Sequence, residues 1–196
     1  LVGQINDILW SYVLIILLIG AGIIFTIRTK FVQIRFIKEM IRLIAGDAGN
    51  KMEGQQISSF QAFCVSTASR VGVGNIAGIA IAVVLGGPGA IFWMWIIAIL
   101  GSATGFVEST LAQIYKVPRT DSNGYLGGPA YYINNALHSP KTAVFFAILI
   151  SITYGLIFNS VQSNTISLSL QTAFNFDATM IGIVIAVFSG IVVFGG

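Results

Sequence analysis

The sequence predicts an all-α integral membrane protein, a helical bundle, and two observations carry that prediction. Of 196 residues, 56% are hydrophobic and only 9% charged, whereas a soluble domain carries roughly a quarter charged. The charges are also segregated, leaving four stretches free of them, each able to supply the ~20 apolar residues that cross a hydrocarbon core of about 30 Å. This composition excludes an ordinary soluble enzyme and a disordered chain. The net charge of +3 matters less than its placement, and nothing in it points to nucleic acid. Cys64 is the single cysteine, which excludes an internal disulfide and a Cys-based metal site.

Ile8 to Ile27 is the first predicted span, because no basic region precedes it and a basic cluster follows, the reverse of a secretory leader. The next segment reads FVQIRFIKEMIRLIAG. Ile34, Ile37, Met40, Ile41 and Ile44 recur at helical spacing, with Arg35, Lys38, Glu39 and Arg42 on the other side. That pattern predicts an amphipathic helix over about 32–45 lying in the membrane interface. The alternative, packing on a soluble domain, finds no such domain in the chain.

Val71 to Val107 is uncharged but interrupted by Gly86-Gly87-Pro88-Gly89, a helix-breaking turn. The prediction is a hairpin of two spans, about 57–86 and 90–115. Spans over about 142–171 and 178–196 complete a count of five. Six basic residues (Arg28, Lys30, Arg35, Lys38, Arg42, Lys51) lie between residues 28 and 53, and three more (Lys116, Arg119, Lys141) between 116 and 141. The opposite loops hold no Lys or Arg, so the bias predicts the two basic loops in the cytoplasm and the N-terminus outside.

The informative stretch is STASRVGVGNIAG, residues 66–78. Each glycine inside a helix costs about 1 kcal/mol relative to alanine, so Gly72 and Gly74, one residue apart, predict a break in the second span. Gly74 lies about 18 Å from the Gly86 turn at ~1.5 Å per residue, near mid-membrane. A break there frees amides that hold a carboxylate and carbonyls that hold a cation. Asn75 adds an oxygen suited to Na⁺ without another buried charge. The alternative is close helix packing, since Gly74 and Gly78, like Gly101 and Gly105, form GxxxG pairs.

Two ionisable residues fall inside the hairpin. Arg70 and Glu108 reach depths of about 24 and about 27 Å from the outer turn, which predicts a contact on the cytoplasmic side of the break, an inner gate. The alternative is that each snorkels separately to the interface. In the long fourth span, Tyr154, Phe158, Gln162 and Thr165 form one stripe, with Gln162 level with the break. That stripe predicts a pocket wall, or else hydrogen bonding between helices. Asn159 and Asn164 also need protein or a cavity in front of them. His138 sits in the basic loop without an evident role, and Trp93 and Trp95 suit an interfacial aromatic belt.

The run GVGNIAGIAIAVVLGGPGAIFWMWIIAILGSATGFVESTLAQIYK, followed by GGPAYYINNAL, resembles the alanine or glycine:cation symporter family, the sodium:alanine symporters. The resemblance covers essentially the whole chain. It implies the first part of a LeuT-like fold of two inverted five-helix repeats, with one extra N-terminal span, and a first core helix unwound at Gly72-Val73-Gly74-Asn75. It further implies that the amides of Val73 and Gly74 meet a substrate carboxylate and that the carbonyls of Ala68 and Val71 contribute to a Na⁺ site. Asn75 would bind substrate or cation, and Gln162 would line the substrate pocket. The implied activity is Na⁺-coupled symport of a small neutral amino acid, alanine or glycine, across the cell membrane by alternating access. The coupling ion is Na⁺, with no other cofactor and no enzymatic chemistry.

Family members run to about twice this length, so the expectation is a fragment lacking the second repeat, which would be its partner. Two other readings stay open at this point. One is a membrane-embedded structural half-subunit that does not transport; the other is H⁺-coupled transport of a different small amino acid.

Overall fold

A computed structural model describes residues 2–46, 58–120 and 124–195. Helix α1 spans Val2–Arg28 and contains a π-helical stretch at Leu9–Val13. Two successive left-handed residues, Lys30 and Phe31 (both φ 54°), then turn the chain sharply, and the Phe31 N–H reaches back to the Thr26 carbonyl at 2.8 Å. The amphipathic segment forms two pieces, α2 (Val32–Arg35) and α3 (Ile37–Gly46), where one helix was expected. Phe36 lies between them at φ −103°, ψ 11°, and its carbonyl accepts the Met40 N–H at 2.8 Å, so the two pieces remain joined. Lys51 and Ile57, which enter the loop and span predictions, lie outside the described residues.

Helix α4 (Ser59–Arg70) opens on a capping box: Ser58 Oγ accepts the Gln61 N–H at 3.2 Å and Gln61 Oε1 accepts the Ser58 N–H at 3.0 Å. This satisfies two donors that a helix start otherwise leaves unpaired. Helix α5 (Ala77–Gly86) follows the break, and Gly87, at φ 66°, turns the chain into α6 (Gly89–Ile114). A side chain at Gly87 would be strained by that backbone, which is why a glycine stands there.

The described residues between 116 and 141 hold more regular structure than a basic loop. A two-stranded antiparallel hairpin pairs β1 (Val117–Pro118) with β2 (Tyr125–Leu126), and Lys116 Nζ lies 4.5 Å from the Tyr125 ring centre. Gly127 allows the hairpin to dock on α6, because a Cβ there would stand 2.9 Å from the Ala112 carbonyl oxygen. Helix α7 (Pro129–Leu137) ends at left-handed His138, and α8 runs from Pro140 to Phe174 with a π-helical stretch at Thr153–Phe158. Helix α9 (Ala178–Gly195) is capped by Asp177, whose Oδ1 accepts the Met180 N–H at 2.9 Å.

Four helices, α1, α6, α8 and α9, are long and apolar enough to cross a membrane, and the bent pair α4 and α5 makes a fifth if it is one span. The chain is an all-α, multi-pass membrane protein, with one small hairpin among the described residues. Its outward surfaces carry Ile16, Leu17, Ile148 and Phe188 more than half exposed, a distribution that suits lipid.

Small residues make the tight internal contacts, as expected where lipid gives no hydrophobic drive between helices. Helix α1 lies on α6, where a Cβ at Gly22 would stand 2.9 Å from Leu100 Cβ and Ala103 is fully buried. Val32 is 1% exposed and Ala143 6% exposed. The GxxxG pairs singled out in the sequence do not play this part among the described residues, since a Cβ on Gly74, Gly78, Gly101 or Gly105 would meet nothing within 4 Å.

Candidate functional site

The helix break is present where the two glycines predict it. Val71 (φ −88°, ψ 121°) and Gly72 (φ −144°, ψ −179°) are extended, Val73–Asn75 form one 3-10 turn, and α4 and the outer part, Val73–Gly86, are bent by 79°. An interrupted helix strands donors on one side and acceptors on the other. Among the described residues, the amides of Gly72, Val73 and Gly74 donate to no partner, and the carbonyls of Ala68 and Val71 accept from none. In a membrane such groups are costly unless they face a cavity or a ligand.

Such a cavity adjoins the break. About 330 Å³ in volume, it is lined on one side by Arg70, Val71, Gly72, Gly74 and Asn75, with Ser69, and on the other by Tyr154, Phe158, Asn159 and Gln162 of α8. That volume lies in the range of small-molecule pockets. The Gln162 carboxamide faces Gly72, with its atoms 3.6 Å from where a Cβ on that glycine would stand. The Tyr154 and Phe158 rings stack at 5.4 Å between centres and form an aromatic wall. Both belong to the π-helical stretch, and such widened turns recur at functional sites.

Asn75 bridges the break itself, its Nδ2 donating to the Arg70 carbonyl at 3.2 Å. Rotating that amide would bring Oδ1 toward the same carbonyl, giving two of the several oxygens that a hard cation takes. The sequence reading missed the Arg70 carbonyl, because it treated Arg70 only as a charge. It also left Asn159 without a specific place, although one helical turn below Gln162 is the cavity-facing position.

Of the predicted stripe on α8, Tyr154, Phe158 and Gln162 line the cavity and Thr165 does not; its hydroxyl donates to the Val161 carbonyl at 2.9 Å. Asn164 lines a separate groove of about 920 Å³ between α8 and α9, which Asn159 and Gln162 also border. Ala68 and Val73 do not line the cavity beside the break.

The expected Arg70–Glu108 contact is not formed as an ion pair. The ion pair present among the described residues joins Glu39 and Arg42. The depth count treated Arg70 to Gly86 as one straight helix, whereas the chain bends by 79° between them, so the two groups need not lie at one height. Glu108 instead acts on Tyr132 of α7: partial burial, and then the Glu108 carboxylate, raise the Tyr132 phenol above its ordinary pKa of 10.0. Both effects disfavour a second negative charge there. No group of three or more His, Cys, Asp or Glu side chains is gathered among the described residues; the cavity offers freed backbone groups and the amides of Asn75, Asn159 and Gln162, beside Arg70.

A family model described as the sodium:alanine symporter family matches residues 1–196. The chain belongs to the sodium:alanine symporter family. It is 55% identical over its whole length to GlnT of Bacillus subtilis, named as a probable sodium/glutamine symporter. It is 50% identical, over 97% of its length, to the amino-acid carrier protein AlsT of the same organism. To the sodium/alanine symporter AgcS of Methanococcus maripaludis it is 37% identical over its whole length. The chain spans about 40% of the length of the first two relatives and 44% of the third. Within the sodium:alanine symporter family, then, the break, its freed backbone groups and the facing amides lie in the matched region.

Proposed function

We propose that the complete protein is a secondary active transporter coupling the inward Na⁺ gradient to uptake of a small neutral amino acid by alternating access. The observation that carries this reading is the cavity at the break, where unpaired amides and unpaired carbonyls meet across a few ångströms of backbone. An amino acid zwitterion and a cation together need both signs of partial charge, and a midplane break supplies them without ionised side chains.

In this reading the amides of Gly72, Val73 and Gly74 hold the carboxylate and Gln162 borders the bound substrate. The carbonyls of Ala68 and Val71, with Asn75, hold Na⁺; the Arg70 carbonyl joins them because Asn75 already reaches it. Arg70 and Glu108 are then separate intramembrane charges near the cytoplasmic face, and the gate acts through the Tyr154–Phe158 wall. The protein sits in the cell membrane with residues 28–53 and 116–141 in the cytoplasm. A second, inverted repeat of a LeuT-like fold completes the cation site from the side opposite the break.

Alanine or glycine is the preferred cargo. Glutamine is the second reading, favoured by the 55% identity to a relative named for it. The test is uptake of labelled alanine, glycine and glutamine into proteoliposomes containing the complete protein, under imposed Na⁺ and H⁺ gradients separately. Na⁺-driven accumulation of one of these amino acids is the expected result. Accumulation driven by H⁺ alone would reject Na⁺ coupling, and no uptake under either gradient would favour a structural subunit.

A further inference from the structure

We propose that α3, together with Arg35 at its head, is a docking surface for anionic phospholipid headgroups. The proposal rests on the membrane character of the chain and is independent of the transport reading.

The segment leaves a membrane-crossing helix at its end and is held there. After the left-handed pair Lys30 and Phe31, Val32 is buried to 1% exposure and Gln33 Nε2 donates to Thr26 Oγ1 at 3.1 Å. These contacts tie the amphipathic segment to the last turn of α1, so it starts where the hydrocarbon ends. Its apolar side is bare: Ile34 is 63%, Ile37 57% and Ile41 62% exposed. A strip of isoleucines of that extent is unfavourable in water and is matched by acyl chains.

Charge decides which lipid fits. Along the other side run Arg35, Lys38, Glu39 and Arg42, all but Glu39 fully at the surface. Glu39 pairs with Arg42 and cancels it. The Arg35 guanidinium lies 4.6 Å from the Phe36 ring centre, which orients it without neutralising it, and Lys38 has no ion-pair partner among the described residues. Two unopposed cations therefore border the apolar strip, beside Arg28 and Lys30 at the end of α1. Zwitterionic headgroups offer no net charge to match them, whereas anionic headgroups do.

The test measures amide hydrogen exchange over residues 32–46 of the complete protein in nanodiscs of phosphatidylcholine, with and without phosphatidylglycerol, and in neutral detergent. Phosphatidylglycerol is expected to slow exchange roughly 25-fold relative to phosphatidylcholine, from about fivefold for each unopposed cation. Exchange in α6 should stay the same, and added salt should abolish the difference. The double variant Arg35→Gln/Lys38→Gln should lose the difference while keeping the protection seen in phosphatidylcholine. Equal exchange in both lipids would overturn the proposal. So would equally slow exchange in detergent, since the face would then be covered by protein, and so would a difference that survives the double variant.

Discussion

The carboxamide of Gln162 stands 3.6 Å from the position a side chain on Gly72 would take. Gly72 has an extended backbone that any residue can adopt, and the distance is an ordinary van der Waals contact. Neither the backbone nor the contact with Gln162 therefore forbids a side chain at position 72; what a side chain would do there is occupy part of the cavity. Gly72→Ala should fold normally and place a methyl group in the cavity, lowering kcat/KM for uptake by about tenfold or more, the usual worth of one methyl-sized misfit in a pocket. Gly72→Val should abolish uptake at an unchanged melting temperature. Wild-type uptake by either variant would remove the cavity from the transport path.

Gln162→Leu keeps the volume and removes the hydrogen-bonding groups. Loss of one such bond to a zwitterionic ligand costs about 1.5–3 kcal/mol, so KM for the amino acid should rise at least tenfold, with the Na⁺ dependence retained. A shift in the Na⁺ dependence alone, with KM for the amino acid unchanged, would reassign Gln162 to the cation.

Asn75 joins the two halves of the broken helix through the Arg70 carbonyl, so its variants separate two roles. Asn75→Ala should lose both the bridge and a cation oxygen, and raise the Na⁺ concentration for half-maximal uptake by about tenfold. Asn75→Asp keeps an oxygen, and should lower that concentration below the alanine variant's. Equal Na⁺ curves for the two variants would leave Asn75 a bridge only. Stability in detergent should fall in the alanine variant by about 1 kcal/mol, the net worth of one hydrogen bond.

Gly22 and Leu100 make a tight helix contact, with a Cβ at Gly22 only 2.9 Å from Leu100 Cβ. Gly22→Val should push α1 away from α6 and destabilise the protein by about 1–3 kcal/mol, read as a lower melting temperature in detergent. Gly22→Ala should do the same more mildly, and Leu100→Gly, which removes the Cβ that a side chain at position 22 would meet, should restore part of that loss. Additive effects of the two substitutions would mean that the contact does not limit the approach of the helices.

Tyr132, on a helix outside the membrane-crossing segments, gives a pH signature. The phenol's pKa is raised in the folded state, above its ordinary 10.0, so the fold keeps a proton that the unfolded chain has already released. Stability is unaffected below pH 10.0 and falls as pH rises through the folded value. Tyr132→Phe should remove that part of the alkaline decline in melting temperature, and Glu108→Gln should reduce it.

How much of this was legible beforehand differs by residue. The break at Gly72 and Gly74 was readable because two glycines one residue apart carry a local helix penalty, whatever surrounds them. Tyr154, Phe158 and Gln162 were readable as one face for a similar reason, since helical spacing is local. The hairpin at Val117–Pro118 and Tyr125–Leu126 was not, because strands of two residues leave no periodic pattern. Nor was the contact at Gly22: its neighbour Leu100 is far away in sequence, and the GxxxG pairs that drew attention face no close neighbour in the described residues.

By itself the sequence determined the membrane character of the chain, the break at Gly72 and Gly74, and its family. These follow from hydrophobicity and backbone propensity, which each segment carries with it. The tertiary structure alone decided which groups meet. Arg70 and Glu108, put at similar depths by a count that runs straight through the bent break, form no ion pair among the described residues, whereas Gly72 and Gln162, remote in sequence, share a cavity. Depth is set by counting residues along one helix, but facing depends on the rotation of two helices about their axes. Packing contacts such as Gly22 on Leu100 set that rotation, and no single segment encodes it.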